Sequence, residues 1–426
     1  DVVHNHYSPP GDGLWDFDGT SNLYFYTDGR ASTPWGPRPD YDKAEVRRYI
    51  QEHIKLLLDE FRVDGFRWDS PQNILGYDAT QSGGNPNTVI TNGKSMLMSI
   101  NRMIHEQYPD RWSIAEDADL LSVNETYTGF PGAEFYQGLV VNDAADSFDG
   151  HWQTSFHNII TPEIAKTNPI VGLIQGKVTE WSEPPGYRVV FTDNHDKSGG
   201  LNGNKRLADR MVPADPSGKI ARKKTLLNAV LTLTAPGTPM LWMGQEFHAT
   251  GSFSDSVRMG WREASAQHRI FRAHRDLIDL REGLPALQNP SLDASTGFIN
   301  DELDLMAYWR LGATNADNLV VLFNLSNQDR TISCPFPTTG IWHVQFNSDW
   351  GVYGSDFSNR GPVGNSVTAT LQGSAVLADV PVAALSVVVL ARTAPPATRL
   401  VEDTDADGLA DGWEALTGIA SPSGDT

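Results

Sequence analysis

A single cysteine, Cys334, in 426 residues excludes an intrachain disulfide and leaves a lone thiol, expected to be buried and inert. No run of about 18 apolar residues occurs, so no segment reads as a membrane-spanning helix, and the most apolar stretch, Ala384 to Ala391, has the length of a core strand. Basic residues are scarce beside acidic ones, 33 against 53 for a formal net charge of −20. That balance argues against nucleic acid or an anionic membrane as partner and suits a neutral polysaccharide. Flat aromatic surface, by contrast, is plentiful. Twelve Trp and twelve Tyr are present, and Tyr7, Trp15, Trp35, Trp68, Trp242 and Trp261 lie near the charged clusters described next. Such faces can stack on sugar rings, although most buried aromatics serve only as core.

Four short segments each end an apolar run in a charged cluster: Asp1-Val2-Val3-His4-Asn5-His6, Gly65-Phe66-Arg67-Trp68-Asp69, Ala115-Glu116-Asp117 and Asn194-His195-Asp196. Catalytic groups occupy such positions at the C-terminal ends of barrel strands. A lone Asp after a strand is more often a helix N-cap, but that does not explain four tips in order. Breaking a glycosidic bond needs one carboxyl group to protonate the leaving oxygen and another to attack or support an oxocarbenium-like centre. Asp69, Glu116 and Asp196 supply these two and a third. Arg67, two residues before Asp69, shares its face of an extended strand and can favour its ionised form, unless it forms only an ordinary surface ion pair.

The spacing between tips predicts alternating helices and strands. Asp42 is expected to cap a helix whose apolar stripe is Val46, Ile50, Ile54, Leu57, Leu58 and Phe61, and Arg62 to Asp69 then reads as a strand. Met96 to Tyr108 reads as a helix and Trp112 to Glu116 as a strand. Asp149 to Phe156 is expected to hold a strand, as are Val189 to Thr192 and Met240 to Met243, with a helix over Ala221 to Thr234. The fold class is therefore α/β, a (β/α)8 barrel over residues 1–290 whose first strands lie upstream of Asp1. Short alternating runs over 291–392, such as Leu319 to Leu325 and Trp342 to Phe346, predict an all-β C-terminal sandwich domain. Residues 393–426 read as a Pro-containing linker and a calcium-binding repeat.

At the four tips the chain resembles glycoside hydrolase family 13, the α-amylase superfamily. The resemblance implies Asp69 as nucleophile, Glu116 as general acid/base and Asp196 as the carboxylate that binds sugar hydroxyls and stabilises the transition state. It implies substrate contacts from His6, Arg67 and His195, to which Tyr7 and Trp35 are added as neighbouring aromatics, and support of the arginine by Asp1. Asn5 matches an asparagine that binds structural calcium in many amylases. Gln72-Asn73, however, stands where typical amylases carry Lys-His. Trp15-Asp16-Phe17-Asp18-Gly19, Thr33-Pro34-Trp35-Gly36 and the run Pro239 to Phe247 look more like glucan branching enzymes, whereas Asn194-His195-Asp196-Lys197 looks like an amylase.

A second motif lies near the end. Asp403, Asp405, Asp407, Gly408, Asp411 and Glu414 occupy positions of an EF-hand-type loop, with oxygen ligands around Ca²⁺ and glycine at the sharp turn. It resembles thrombospondin type 3-like repeats of secreted bacterial proteins, which implies an extracellular or cell-surface location. The expected activity is retaining cleavage of α-1,4-glucan (starch, glycogen or maltodextrin) with branching-type transglycosylation. Amylase-type hydrolysis and a non-catalytic glucan-binding role are the alternatives, and the chemistry requires no cofactor.

Overall fold

The computed structural model describes residues 1–8, 19, 23–33, 35–77, 88–116, 146–179, 188–200, 203–260, 268–288 and 294–395. The chain divides into two compact units, Asp1–Thr154 with Trp181–Val189, and Ser155–Glu180 with Val190–Thr426.

The first unit is built from parallel strands and the helices that cover them. Strands β1 (Gly65–Trp68), β2 (Trp112–Ala115) and β3 (Gly150–Trp152) pair in parallel in chain order, and β3 pairs with Arg188 and Val189 of β4 (Arg188–Val190). Parallel pairing buries both faces, so Phe66, Arg67 and Trp68 in β1 are all buried rather than alternating. Helices α1 (Ala44–Asp59) and α2 (Thr91–Gln107) connect these strands. Val46, Ile50, Ile54 and Leu58 of α1 recur at helical spacing and share one core with Leu97, Ile100 and Ile104 of α2. Fully burying each such aliphatic side chain contributes roughly 1.5–3 kcal/mol. The segment before β1 continues the pattern: Val2 N–H donates to the Arg67 carbonyl and Asp69 N–H to the Val2 carbonyl, at 2.9 and 3.0 Å.

Three local expectations are corrected here. Asp42 does not cap α1: Lys43 occupies the N-cap position without a side-chain bond, and the Asp42 carboxylate accepts from Arg30 (2.6 Å) and Asn92 (2.8 Å) instead. Strand β1 begins at Gly65 rather than Arg62, because Arg62 adopts a φ of +53° that ends extended backbone. Phe61 is exposed and does not join the stripe.

In the second unit, α3 (Thr154–Ala165), α4 (Val171–Val178), α5 (Lys219–Thr234) and α6 (His268–Gly283) pack with one face of an antiparallel sheet. Helix α5 is buried nearly all round, which fits the absence of charged residues between Thr225 and Thr234. The expected strand at Met240 to Met243 is displaced: the strand is Thr238–Pro239, and Met240 N–H donates to the Val190 carbonyl at 2.9 Å.

Eight antiparallel strands follow: β6 (Ala294–Asn300), β7 (Leu305–Arg310), β8 (Leu319–Asn324), β9 (Arg330–Pro335), β10 (Gly340–Asn347), β11 (Ser366–Gln372), β12 (Ala375–Val382) and β13 (Ser386–Ala391), with β5 being Thr238–Pro239. Their order is β6-β7-β8-β13-β10-β11-β12-β9. Strand β11 pairs with β10 through Ser366–Ala369 and with β12 through Thr370–Gln372, so one strand passes between two layers. Val320, Leu322, Val388 and Leu390 of one layer meet Ile332, Cys334 and Val380 of the other. The alternate residues Val321, Phe323, Val387 and Val389 face the helices, which is why β8 and β13 are apolar along almost their whole length. Cys334 is fully buried, and burial pushes its thiol up to about 12.

Candidate active site

Parallel pairing sets β1 and β2 in register, Trp68 opposite Ala115, so the residues that follow both strands emerge together. Asp69 and Glu116 are those residues, and Arg67 joins them. Its guanidinium lies 2.9 Å from Asp69 Oδ1 and 2.6 Å from Glu116 Oε1, with Asp1 Oδ1 3.7 Å away. Arg67 is 9 % exposed, so these are not the weak surface pairs that solvent screens. The flat cation also lies over the Trp152 ring, 4.4 Å from its centroid, at the end of β3.

The remaining oxygens of the two carboxylates are also held. Ser70 N–H donates to Glu116 Oε2 at 2.9 Å, and Ser70 reaches that position with a φ of +41°, a left-handed conformation unusual for a residue with a Cβ. Asn73 Nδ2 donates to Ser70 Oγ at 2.6 Å and fixes the turn. Asn5 Nδ2 donates to Asp69 Oδ2 at 2.7 Å and to the Asp69 carbonyl at 2.8 Å, and Asn5 Oδ1 lies 2.7 Å from His6 Nδ1. Burial lowers the His6 pKa from its usual range, with Asp69 opposing the effect.

The predicted aromatics separate by role. Trp35 is 56 % exposed and its ring stands 5.7 Å from His6, tilted by 36°, so it offers an exposed flat face beside His6. The Tyr7 hydroxyl is engaged with His4 Nδ1 at 2.8 Å. Trp68 is completely buried and is core. Trp15 and Trp261 lie outside the described residues.

In the second unit, Asn194 caps a short turn of helix, its side chain accepting from Lys197 N–H at 2.8 Å. His195 Nε2 and Asp196 Oδ1 are 3.6 Å apart on this turn, Asp196 half exposed and His195 beside the Trp242 ring. Asp193, which sequence reasoning missed, anchors the segment. Its buried carboxylate accepts from Arg210 (2.6 Å), Ser198 Oγ (2.8 Å), Asn194 N–H (3.0 Å) and Leu207 N–H (3.1 Å), and burial raises its pKa. Its place directly before Asn194-His195-Asp196 was the available signal.

The expected calcium ligands Asp403, Asp405, Asp407, Asp411 and Glu414 lie outside the described residues, as does Asp117. Among the described residues no group of three His, Cys, Asp or Glu is placed to hold a metal.

The family profile "Alpha amylase, catalytic domain" matches residues 4–284, and "Alpha amylase, C-terminal all-beta domain" matches 298–393. The chain therefore belongs to the α-amylase family, glycoside hydrolase family 13. A malto-oligosyltrehalose trehalohydrolase of a Rhizobium species is 25 % identical over 409 residues, covering 80 % of this chain and 62 % of the relative. A 1,4-α-glucan branching enzyme of Rhodococcus jostii is 27 % identical over 401 residues, covering 87 % and 50 %. That of Dechloromonas aromatica is 28 % identical over 397 residues, covering 87 % and 59 %. The chain thus spans roughly half to three-fifths of the length of these curated relatives. Among solved structures, an α-amylase of Geobacillus thermoleovorans complexed with acarbose superposes with a TM-score of 0.61 at 16 % identity, covering 92 % of this chain and 76 % of that one. A pullulanase of Anoxybacillus complexed with maltotetraose gives 0.59 at 18 % identity, covering 87 % and 50 %. The fold is that of the amylase-type barrel enzymes with an antiparallel C-terminal domain.

Proposed function

We propose that the protein is a retaining enzyme acting on α-1,4-glucan, with branching-type transglycosylation as its reaction. The observation that carries this reading is one buried guanidinium tied to two carboxylates at the ends of adjacent parallel strands. Asp69 attacks the anomeric carbon, forming a glycosyl ester, while Glu116 delivers its proton to the departing glycosidic oxygen. A sugar hydroxyl then attacks the ester carbon, Glu116 takes the hydroxyl proton, and Asp69 leaves as carboxylate. By the family resemblance Asp196 is the carboxylate that binds sugar hydroxyls, and beside Asp69 we assign Trp35 to a sugar ring and His6 to a hydroxyl edge.

The branching assignment draws on Thr33-Pro34-Trp35-Gly36, on the run Pro239 to Phe247, and on relatives named as branching enzymes. Asn194-His195-Asp196-Lys197 favours the second reading, in which water replaces the acceptor hydroxyl and the enzyme hydrolyses starch or glycogen. Amylose treated with the full chain decides between them. Transglycosylation lowers iodine staining without new reducing ends and leaves short chains after debranching, whereas hydrolysis releases reducing sugar in step with the lost stain. Product formation by Asp69→Asn at more than about a tenth of the wild-type rate would remove Asp69 from the nucleophile role, because loss of a covalent nucleophile costs several orders of magnitude. We also place Ca²⁺ in the 403–414 loop and the protein outside the cell or on its surface.

A further inference from the structure

Asn5 stands where the family resemblance implies a calcium ligand, and its surroundings do not fit that role. The residue is completely buried, and its amide group has one workable orientation. Nδ2 faces two acceptors, the Asp69 carbonyl at 2.8 Å and Asp69 Oδ2 at 2.7 Å, neither of which can donate while Asp69 is ionised. Flipping the amide would set oxygen against oxygen at both contacts. Oδ1 therefore faces His6 Nδ1 at 2.7 Å, and since an amide oxygen can only accept, the proton between them belongs to the imidazole. A cation at the second lone pair of Oδ1 would have to enter the interior beside a completely buried side chain, and among the described residues no group of three His, Cys, Asp or Glu stands ready to hold it.

We propose that Asn5 is a positioning residue, one that orients the Asp69 carboxylate and fixes His6 in the Nδ1–H tautomer, and that no calcium ion binds at this position. Neutral His6 then presents Nε2 as an acceptor, so it takes a hydrogen bond from a sugar hydroxyl rather than giving one. Trp35, 5.7 Å from His6 and exposed, offers that sugar a neighbouring flat face. The inference rests on the glucan-active reading for its consequences in catalysis, but not for the tautomer or the metal.

The two functions of Asn5 are separated by two substitutions on the full chain. Asn5→Leu removes both bonds. Asn5→Asp keeps an acceptor for His6 but sets a second carboxylate against Asp69. Both variants are expected to lose kcat by about a hundredfold with KM changed less than about threefold, the loss typical of a reacting group displaced by about 1 Å. A carboxylate serves calcium at least as well as an amide, so an Asn5→Asp enzyme with wild-type kcat would overturn the proposal in favour of a metal ligand. Calcium titration of wild type and Asn5→Leu should give the same number of bound ions, and one ion fewer in the variant would likewise overturn it. Because a buried substitution can prevent folding, the tautomer is read on the wild type itself. Nitrogen-15 NMR of labelled histidine, with His6 assigned by loss of its signal in His6→Gln, is expected to place the proton on Nδ1, and a proton on Nε2 refutes the proposal. Absence of turnover on every α-glucan would count against the enzymatic reading alone, and the tautomer and calcium results would still decide the role of Asn5.

Discussion

Lowering the pH from 7 to 5 should destabilise the second unit steeply, because three of its buried histidines are held neutral. His157 and His248 donate to the carbonyls of Thr192 (2.8 Å) and Pro216 (2.7 Å), and His274 donates to that of Ile270 (3.0 Å). Burial lowers their pKa values to about 3, 4 and 4 respectively, the neighbouring Arg210 adding to the effect at His157. An unfolded histidine titrates near about 6.5. A folded value below the unfolded one means that the unfolded chain binds more protons between the two, so stability is full above about pH 6.5 and is lost as the pH falls toward the folded values. At pH 5 each imidazole takes up about one proton on unfolding, a slope of about 1.4 kcal/mol per pH unit. Three of them give about 4 kcal/mol per pH unit and a loss of roughly 6 kcal/mol at pH 5, comparable with the whole stability of about 5–15 kcal/mol typical of a domain.

Two buried carboxylates oppose this at lower pH. Asp193 and Asp276 have pKa values raised by burial, so the fold binds their protons first and gains stability as the pH drops into the carboxylate range. The histidine loss is therefore clearest between pH 7 and 5. Urea unfolding at pH 7, 6 and 5 reads it as a falling midpoint at constant m value. His274→Gln should reduce the slope by about one proton. Midpoints that stay level from pH 7 to 5, or a His274 ring resonance titrating near pH 6.5, would refute the reasoning.

Other perturbations test separate parts of the molecule. Trp35→Ala should raise KM on maltodextrin about fivefold with little change in kcat, since it removes a stacking face worth about 1 kcal/mol without touching the carboxylates. A product released with the β-anomeric configuration, seen by proton NMR within minutes of mixing, would contradict the retaining mechanism, for which the α configuration is expected. Lys223→Met should cost about 3 kcal/mol in urea unfolding, because Lys223 Nζ lies 2.6 Å from the buried Asp349 and its removal leaves that carboxylate short of its cation. Deleting residues 399–426 should leave kcat on soluble starch unchanged while abolishing a calcium-dependent transition of the tail.

The sequence made the strand tips legible because each rests on a local rule. Arg67 and Asp69 share a face through the two-residue period of a strand, and the structure joins them at 2.9 Å. The stripe on α1 follows from helical spacing, although its cap did not: Asp42 found two side-chain donors, Arg30 and Asn92, and those partners come from elsewhere in the chain. Trp152 beneath Arg67 and the Asn5 amide on Asp69 were illegible for the same reason. Their partners lie tens of residues away, and no periodicity records such pairs. Ser70 shows another limit, since nothing in Asp69-Ser70-Pro71 announces a left-handed φ in a residue that has a Cβ.

Asn5 shows why a matched residue type does not carry its role with it. An asparagine side chain has an acceptor end and a donor end of nearly equal size, so the same residue can hold a cation through its oxygen or a carboxylate through its nitrogen. The choice depends on what faces each end, and here a ring nitrogen faces one and the oxygens of Asp69 face the other. The result is a continuous set of contacts in which His6 donates to Asn5, Asn5 and Arg67 donate to Asp69, and Arg67 forms an ion pair with Glu116. Removing Asn5 breaks the first half of that set and leaves the second intact. The variant should therefore bind glucan through Trp35 and still turn it over slowly.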